Sequence, residues 1–237
     1  MEPVLSFDSV SFSYSPHMPA VLHAVSFALA PGTFTVIVGS SGGGKSTLLR
    51  LAAGLDAPTA GIVKNGARTR MIFQNAALLP WLSALDNVLI GTTDINGTKA
   101  EKKAKALAAL AEIGLAEHAA KLPRELSGGQ RQRVGIARAL VSEPRFLLLD
   151  EPFSALDFET SEKLSQEVLD IFAQKGITML MVSHSIEDAV LLADEIFVCA
   201  GGTIAERVNV PLERPRSRAD AHVLSLISQV RKFIPEA

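Results

Sequence analysis

Two glycine-bearing stretches carry the plainest chemistry in this chain: Gly39-Ser40-Ser41-Gly42-Gly43-Gly44-Lys45-Ser46-Thr47 and Leu126-Ser127-Gly128-Gly129-Gln130. In the first, Gly39 and Gly44 permit backbone conformations that a side chain forbids, so the amides between them can turn inward onto phosphate oxygens. Lys45 is placed to reach β- and γ-phosphates, and the Ser46 hydroxyl to coordinate Mg²⁺. In the second, Ser127 and Gln130 have the spacing of a capping box, which starts a helix at Ser127. A capped surface helix accounts for the serine and glutamine. It does not account for two glycines in a first turn, where each weakens the helix by up to about 1 kcal/mol, unless the free amides there must approach an anion closely. Together the stretches imply a nucleotide site that uses two phosphate cradles.

Acidic and basic groups gather at the ends of apolar runs. Phe146-Leu147-Leu148-Leu149 runs into Asp150-Glu151, where a carboxylate without a partner is costly unless it faces a metal or a site. Asp150 is read as a ligand on the Mg²⁺ side, through water, and Glu151 as the general base that polarises an attacking water, with Pro152 ending the strand. Alone, such a pair would read as a helix cap or an acidic surface. His184 follows the run Ile177 to Val182, which favours contact with the γ-phosphate or with the base; a lone histidine is more often a core residue.

The elements that position these groups are legible from periodicity. Thr33 to Val38 is a β-branched apolar strand that enters the glycine loop, and Ser46 to Ala53 is a helix stopped by Gly54. The runs ending at Leu149 and Val182 read as strands buried on both faces of a parallel sheet, so the three strand ends should converge on one site. Helices are expected over Glu159 to Gln174 and Ile186 to Ala193, then a last strand over Glu195 to Ala200 before Gly201-Gly202. From Gln74 to Glu143 the texture changes to loop and Ala/Leu/Lys-rich helix, notably Lys99 to Ile113, with Val134, Ala137, Leu140 and Val141 as an apolar stripe behind Ser127. This reads as a helical subdomain (74–143) inserted into a nucleotide-binding core (1–73 and 144–210), followed by a tail (211–237) of basic loop and short helix, all within one domain.

Composition narrows the partners. The 237 residues are 48% hydrophobic, ample for a buried core, and a net charge of −2 gives no basic field of the kind that dominates nucleic-acid affinity. The single cysteine, Cys199, forms no internal disulfide. The N-terminus has no signal-peptide pattern and no run approaches 18 apolar residues, so the chain is expected to be cytoplasmic and to reach any membrane through a partner.

With GSSGGGKST, LSGGQ and FLLLDEP in this order, the chain resembles the ATP-binding-cassette (ABC) ATPases over nearly its whole length. The resemblance implies an α/β P-loop NTPase (RecA-like) core with an N-terminal antiparallel β region and an inserted helical subdomain, binding ATP and Mg²⁺. It implies a head-to-tail dimer in which Ser127, Gly128, Gly129 and Gln130 of one copy close over ATP held by the other. Gln74 then matches the glutamine linking nucleotide, metal and partner, Ser154-Ala155-Leu156-Asp157 the loop that carries Asp157 to the site, and His184 the switch histidine. Tyr14 matches the aromatic that stacks on adenine; taken alone it reads as a packing residue, and Phe12 competes for the role.

A narrower resemblance, on Phe73 to Asn87 and Arg214-Pro215-Arg216-Ser217-Arg218, is to the ATPases of nitrate, sulfonate and taurine-type importers, a group that includes thiamine-precursor transporters. Ser185 and Ser161 depart from the family's usual Asp and Arg. The implied activity is ATP hydrolysis driving solute uptake, with two ATPase copies, two membrane permease subunits and a solute-binding protein outside the membrane. The alternatives are an ABC ATPase that signals mechanically to cell-wall enzymes or remodels a cytosolic complex. Trp81, just after Gln74, is expected either at the groove for a permease helix or buried in the helical subdomain.

Overall fold

The continuous apolar runs become strands of one sheet because both faces of that sheet are covered. In the computed structural model, which describes residues 2–234, the chain opens with β1 (Leu5–Phe12) and β2 (Leu22–Leu29), enters the sheet at β3 (Phe34–Val38), and leaves it through α1 (Lys45–Ala52) and β4 (Ala60–Asn65). It returns at β5 (Thr69–Ile72), makes α2 (Ala84–Ile90), α3 (Lys99–Glu112) and α4 (Gly128–Leu140), and re-enters at β6 (Phe146–Asp150). Then come α5 (Phe158–Lys175), β7 (Thr178–Val182), α6 (Ile186–Leu192), β8 (Glu195–Ala200), β9 (Thr203–Asn209) and α7 (Ala221–Arg231).

The main sheet has the order β5-β6-β7-β3-β8-β9, parallel except for β9, which runs back along β8. A second sheet, β2-β1-β4, is antiparallel and packs over one face of the first. Strand residues alternate between two cores. Phe34, Val36 and Val38 with Leu147, Leu149, Met179 and Met181 face α5, α6 and α7; Ile37, Leu148, Leu180, Val182 and Phe197 face α1 and the antiparallel sheet. A strand buried this way must be apolar at every position, which is why no period-2 pattern marks it.

The mixed α/β architecture with an antiparallel N-terminal sheet and a helical insertion is the expected fold class. Two details differ. The strand Glu195–Ala200 is not the last: after Gly201 and Gly202 the chain reverses into β9, whose exposed positions gave its sequence no apolar run. The stripe on α4 also serves two cores, with Val134, Ala137 and Val141 joining Val88 and Leu110 inside the helical insertion and Leu140 joining the sheet cluster. Thus α4 is the element shared by both cores.

Because β6, β7 and β3 are neighbours, the ends carrying Asp150-Glu151, Ser183-His184 and the glycine loop open on the same edge of the sheet. That edge is where ligands of open α/β sheets bind.

Candidate active site

The glycine loop is fixed by what its missing side chains would strike. Gly39, at φ 155°, lies so close to β8 that a Cβ would overlap the Cys199 carbonyl oxygen, and at Gly44, at φ 97°, it would press on Leu22 Cδ2 at 2.7 Å. The Cys199 thiol, pushed up to about 11 by burial, donates to the Gly43 carbonyl at 2.9 Å. The helix leaving the loop starts differently from the rest. Each other α-helix begins with a capping side chain, Ser83, Thr98, Ser127, Asp157, Ser185 or Asp220, whereas α1 begins at Gly44 with none. The Lys45, Ser46 and Thr47 amides have no partner among the described residues. Orphan donors at the positive end of a helix are the chemistry that a phosphate satisfies. Lys45, only 7% exposed, arches back so that its ammonium donates to the Gly39 and Ser40 carbonyls at 2.9 Å, above the loop.

Across the site, burial and then the neighbouring Glu151 charge raise the Asp150 carboxyl, while the nearby Ser46 hydroxyl and the charges of Arg50 and Lys45 pull it down. One hydroxyl and one carboxylate, both oxygen donors, suit Mg²⁺, which is usually held by one or two protein oxygens together with substrate phosphates. Glu151 adopts φ 43°, a left-handed conformation that costs a non-glycine residue about 1–3 kcal/mol and is held by its amide on the Val182 carbonyl at 3.0 Å. That turn at the strand end brings the Glu151 side chain, only 22% exposed, to the cavity it lines with His184. Its Oε2 lies 3.1 Å from His184 Nδ1.

Gln74 makes no hydrogen bond to Ser46 or Asp150 among the described residues. Its amide donates to Ser154 Oγ at 3.1 Å, and Ser154 in turn donates to the Glu151 main-chain carbonyl at 3.0 Å, so Gln74 reaches the backbone of Glu151 through one hydroxyl. It stands after β5, beyond β6 from the glycine loop, which is why its side chain meets the 154–157 loop first. Asp157 caps α5, accepting from the Thr160 amide at 3.0 Å.

The second cradle has a separate address. Ser127 and Gln130 form the reciprocal capping box, leaving the Gly128 and Gly129 amides with no partner among the described residues. A Cβ on Gly129 would come within 2.5 Å of Thr160 Cγ2, so α4 starts hard against α5. The packing partners of α4 are α2, α3, α5 and β5; those of α1 are β4, β6 and β7. One chain therefore keeps its two cradles on different elements.

Residues 22–154 match the sequence profile of the ABC transporter family. The chain is 43% identical over 218 residues to the aliphatic sulfonates import ATP-binding protein SsuB of Pseudomonas putida, covering 89% of this chain and 78% of that one. It is also 43% identical over 213 residues to the corresponding protein of Shouchella clausii, covering 89% and 84%. The chain belongs to the ABC transporter family. Among solved structures, the dimeric post-hydrolysis state of the ATP-binding cassette MJ0796, bound to ADP and Pi, aligns with a TM-score of 0.78 at 30% identity, covering 88% of this chain and 100% of that one. The chain is an ABC-type ATPase that uses ATP with Mg²⁺.

The structure separates the two aromatic candidates near the glycine loop. Phe12 is 7% exposed and packed in the core under the antiparallel sheet; Tyr14 is 58% exposed, edge-on to Phe12, with its hydroxyl 2.9 Å from Thr47 Oγ1. Only Tyr14 offers a face to a ligand. Trp81 is 71% exposed, which removes the alternative that it is buried in the helical insertion.

Three residues that border the candidate site were not assigned a role by sequence. Gln132 donates to the Phe73 carbonyl at 3.1 Å and Arg138 to those of Ala76 and Ala77, so α4 grips the segment around Gln74. Both lie farther along α4 than the glycines, and only the fold reveals that they meet this segment. Arg218, inside the noticed Arg-Pro-Arg stretch, bonds Asp188 at 2.9 Å, stacks over Phe158 and borders the same cavity of about 330 Å³ as Glu151 and His184.

Proposed function

We propose that this chain is the ATP-hydrolysing subunit of an importer for aliphatic sulfonates or closely related small organic anions, acting as two copies on the cytoplasmic face of two permease subunits. The solute class rests on the relatives' names, and a solute-binding protein outside the membrane would select it. The single observation that carries the dimer is the position of the Gly128 and Gly129 amides, uncommitted among the described residues and apart from the chain's own glycine loop. A second copy, turned head to tail, supplies the missing pairing.

In this arrangement the 39–47 loop binds the phosphates through its amides and Lys45, and Ser127 to Gln130 of the partner close over them. Ser46 and Asp150 would hold Mg²⁺, which would supply positive charge against the phosphates. Glu151 takes the proton of the attacking water, and His184, held on the Glu151 carboxylate, meets the γ-phosphate side. Tyr14 stacks on adenine, Asp157 orders the loop at the seam, and Gln74 senses the site through Ser154. Because α4 bears one cradle at its start and grips the Gln74 segment farther along, a shift at either is felt by the other. Trp81, exposed on the chain beyond that segment, is the anchor for a permease helix.

The test is Glu151→Gln, which keeps size and hydrogen bonding but cannot accept the proton. ATP turnover should fall by about 10²–10⁴, and with ATP and Mg²⁺ the protein should elute as a dimer holding two nucleotides. Adding Ser127→Arg should abolish that dimer while each chain still binds ATP. Normal turnover would remove Glu151 from the role, and a dimer persisting in the double variant would refute closure in trans. For the solute, vesicles with the permease and binding protein should take up an alkanesulfonate on ATP addition; uptake of nitrate alone would reassign it.

A further inference from the structure

Gln130 is bonded at both ends of its amide. Its Oε1 accepts the Ser127 N–H at 2.9 Å, and this settles the orientation: Nε2 is the end that faces His118 Nε2, at 3.0 Å. Two nitrogens at that distance need one lone pair between them, and the amide nitrogen has none to offer. His118 must therefore accept at Nε2, carry its proton on Nδ1 and be uncharged. Its Nδ1 is buried and has no partner among the described residues, so no group there stands ready to stabilise a cationic ring.

We propose that His118 is a positioning residue for the signature segment, working in its neutral form, and that its protonation uncaps α4. A proton on Nε2 would set N–H against N–H₂. The amide of Gln130 can relieve this only by turning over, which brings its N–H₂ against the Ser127 N–H and opens the capping box that orients the Gly128 and Gly129 amides. The charged groups on the surrounding elements offer no rescue. Glu112 on α3 is paired with Lys175 at 2.8 Å, Glu125 accepts the Leu122 amide, Arg131 on α4 donates to the Leu126 carbonyl, and Glu117 and Lys121, which flank His118 in the chain, make no bond to the ring. His118 touches no nucleotide group of its own chain; it acts through Gln130. The inference rests on the reading that the start of α4 completes a partner's ATP site.

The experiment tracks ATP-driven dimerisation of the full chain in the Glu151→Gln background, from about pH 8 to about pH 5.5, the range over which imidazoles titrate. With His118 present, the dimer association constant should fall by about tenfold more across that range than with His118→Gln, the size of one lost helix cap. His118→Gln keeps an acceptor for Gln130 and cannot be protonated, so it should match the parent near pH 8. His118→Phe, which keeps ring volume without an acceptor, should weaken the dimer at every pH while leaving ATP affinity of the single chain near the parent's and lowering the melting temperature by no more than the few degrees that one helix cap supplies. Nitrogen NMR of labelled imidazole should show Nδ1–H with a bare Nε2. The same acid fall in His118→Gln as in the parent, or an Nε2–H ring, would overturn the role of His118 while dimerisation itself stands. No dimer at any pH would overturn closure in trans, and the role of His118 with it.

Discussion

The two phosphate cradles of this chain satisfy their backbone by opposite means. At the glycine loop the tightest constraint is other backbone: the Cys199 carbonyl of β8 presses on Gly39, the loop carbonyls are tied only by the Lys45 ammonium, and α1 starts with no side-chain cap. At Ser127 the constraint is side chains: Ser127 and Gln130 cap each other, and Thr160 alone bars a methyl at Gly129. The first is complete within one chain and can hold an anion by itself. The second is ordered but unoccupied by any group of its own chain among the described residues, which suits a surface that finishes another copy's site. A side-chain-built cradle can be adjusted by one substitution, whereas a backbone-built one cannot.

That contrast is broken most severely at Gly39. Gly39→Ala would drive a Cβ into the Cys199 carbonyl, and no side-chain change relieves a clash with backbone. The expected cost is about 3 kcal/mol or more in stability, with nucleotide binding lost, measured by denaturant melts and a fluorescent ATP analogue. Gly129→Ala should behave differently. The obstacle is Thr160 Cγ2, so the variant should keep nucleotide binding but lose ATP-driven dimerisation, and Thr160→Ser, which lacks that methyl, should restore it. A helix interior gains up to about 1 kcal/mol from Gly→Ala, so the rescued pair should be no less stable than the parent. Failure of Thr160→Ser to restore the dimer would show that the obstacle is not Thr160.

Much of this was legible because the chemistry sits at strand ends. Uninterrupted apolar runs such as Phe146–Leu149 announce strands covered on both faces, and a polar residue directly after one marks the open edge of the sheet. The capping box at Ser127 was legible from four residues, since it is closed by local bonds. β9 was not, because an edge strand half in solvent carries no apolar run, and its Thr203-Ile204-Ala205-Glu206-Arg207 has mixed character. Nor was the grip of Gln132 and Arg138 on the Gln74 segment, in which the partners lie some sixty residues apart and the acceptors are carbonyls that any residue possesses. His118 was invisible for the same reason: its meaning depends on which end of the Gln130 amide faces it.

The smallest effect concerns the metal side of the first cradle, where stability and function should part. Burial and the Glu151 charge raise the Asp150 carboxyl, so folding favours its protonated form. For a carboxyl raised by folding, stability is greatest at low pH and declines as pH rises from the unfolded value through the folded one. At neutral pH, before nucleotide binds, ionised Asp150 therefore destabilises the chain. Asp150→Asn should raise the melting temperature by about 2 °C near pH 7.5, and this gain should shrink as the pH falls and the parent carboxyl takes up its proton. The same variant should forfeit most of the stabilisation that ATP with Mg²⁺ gives the parent. Differential scanning calorimetry across pH, with and without the nucleotide, reads both. A melting temperature several degrees below the parent's would mean that the Asp150 carboxylate beside Ser46 holds the loop more than its charge strains it, and the first cradle would then depend on a side chain as the second does.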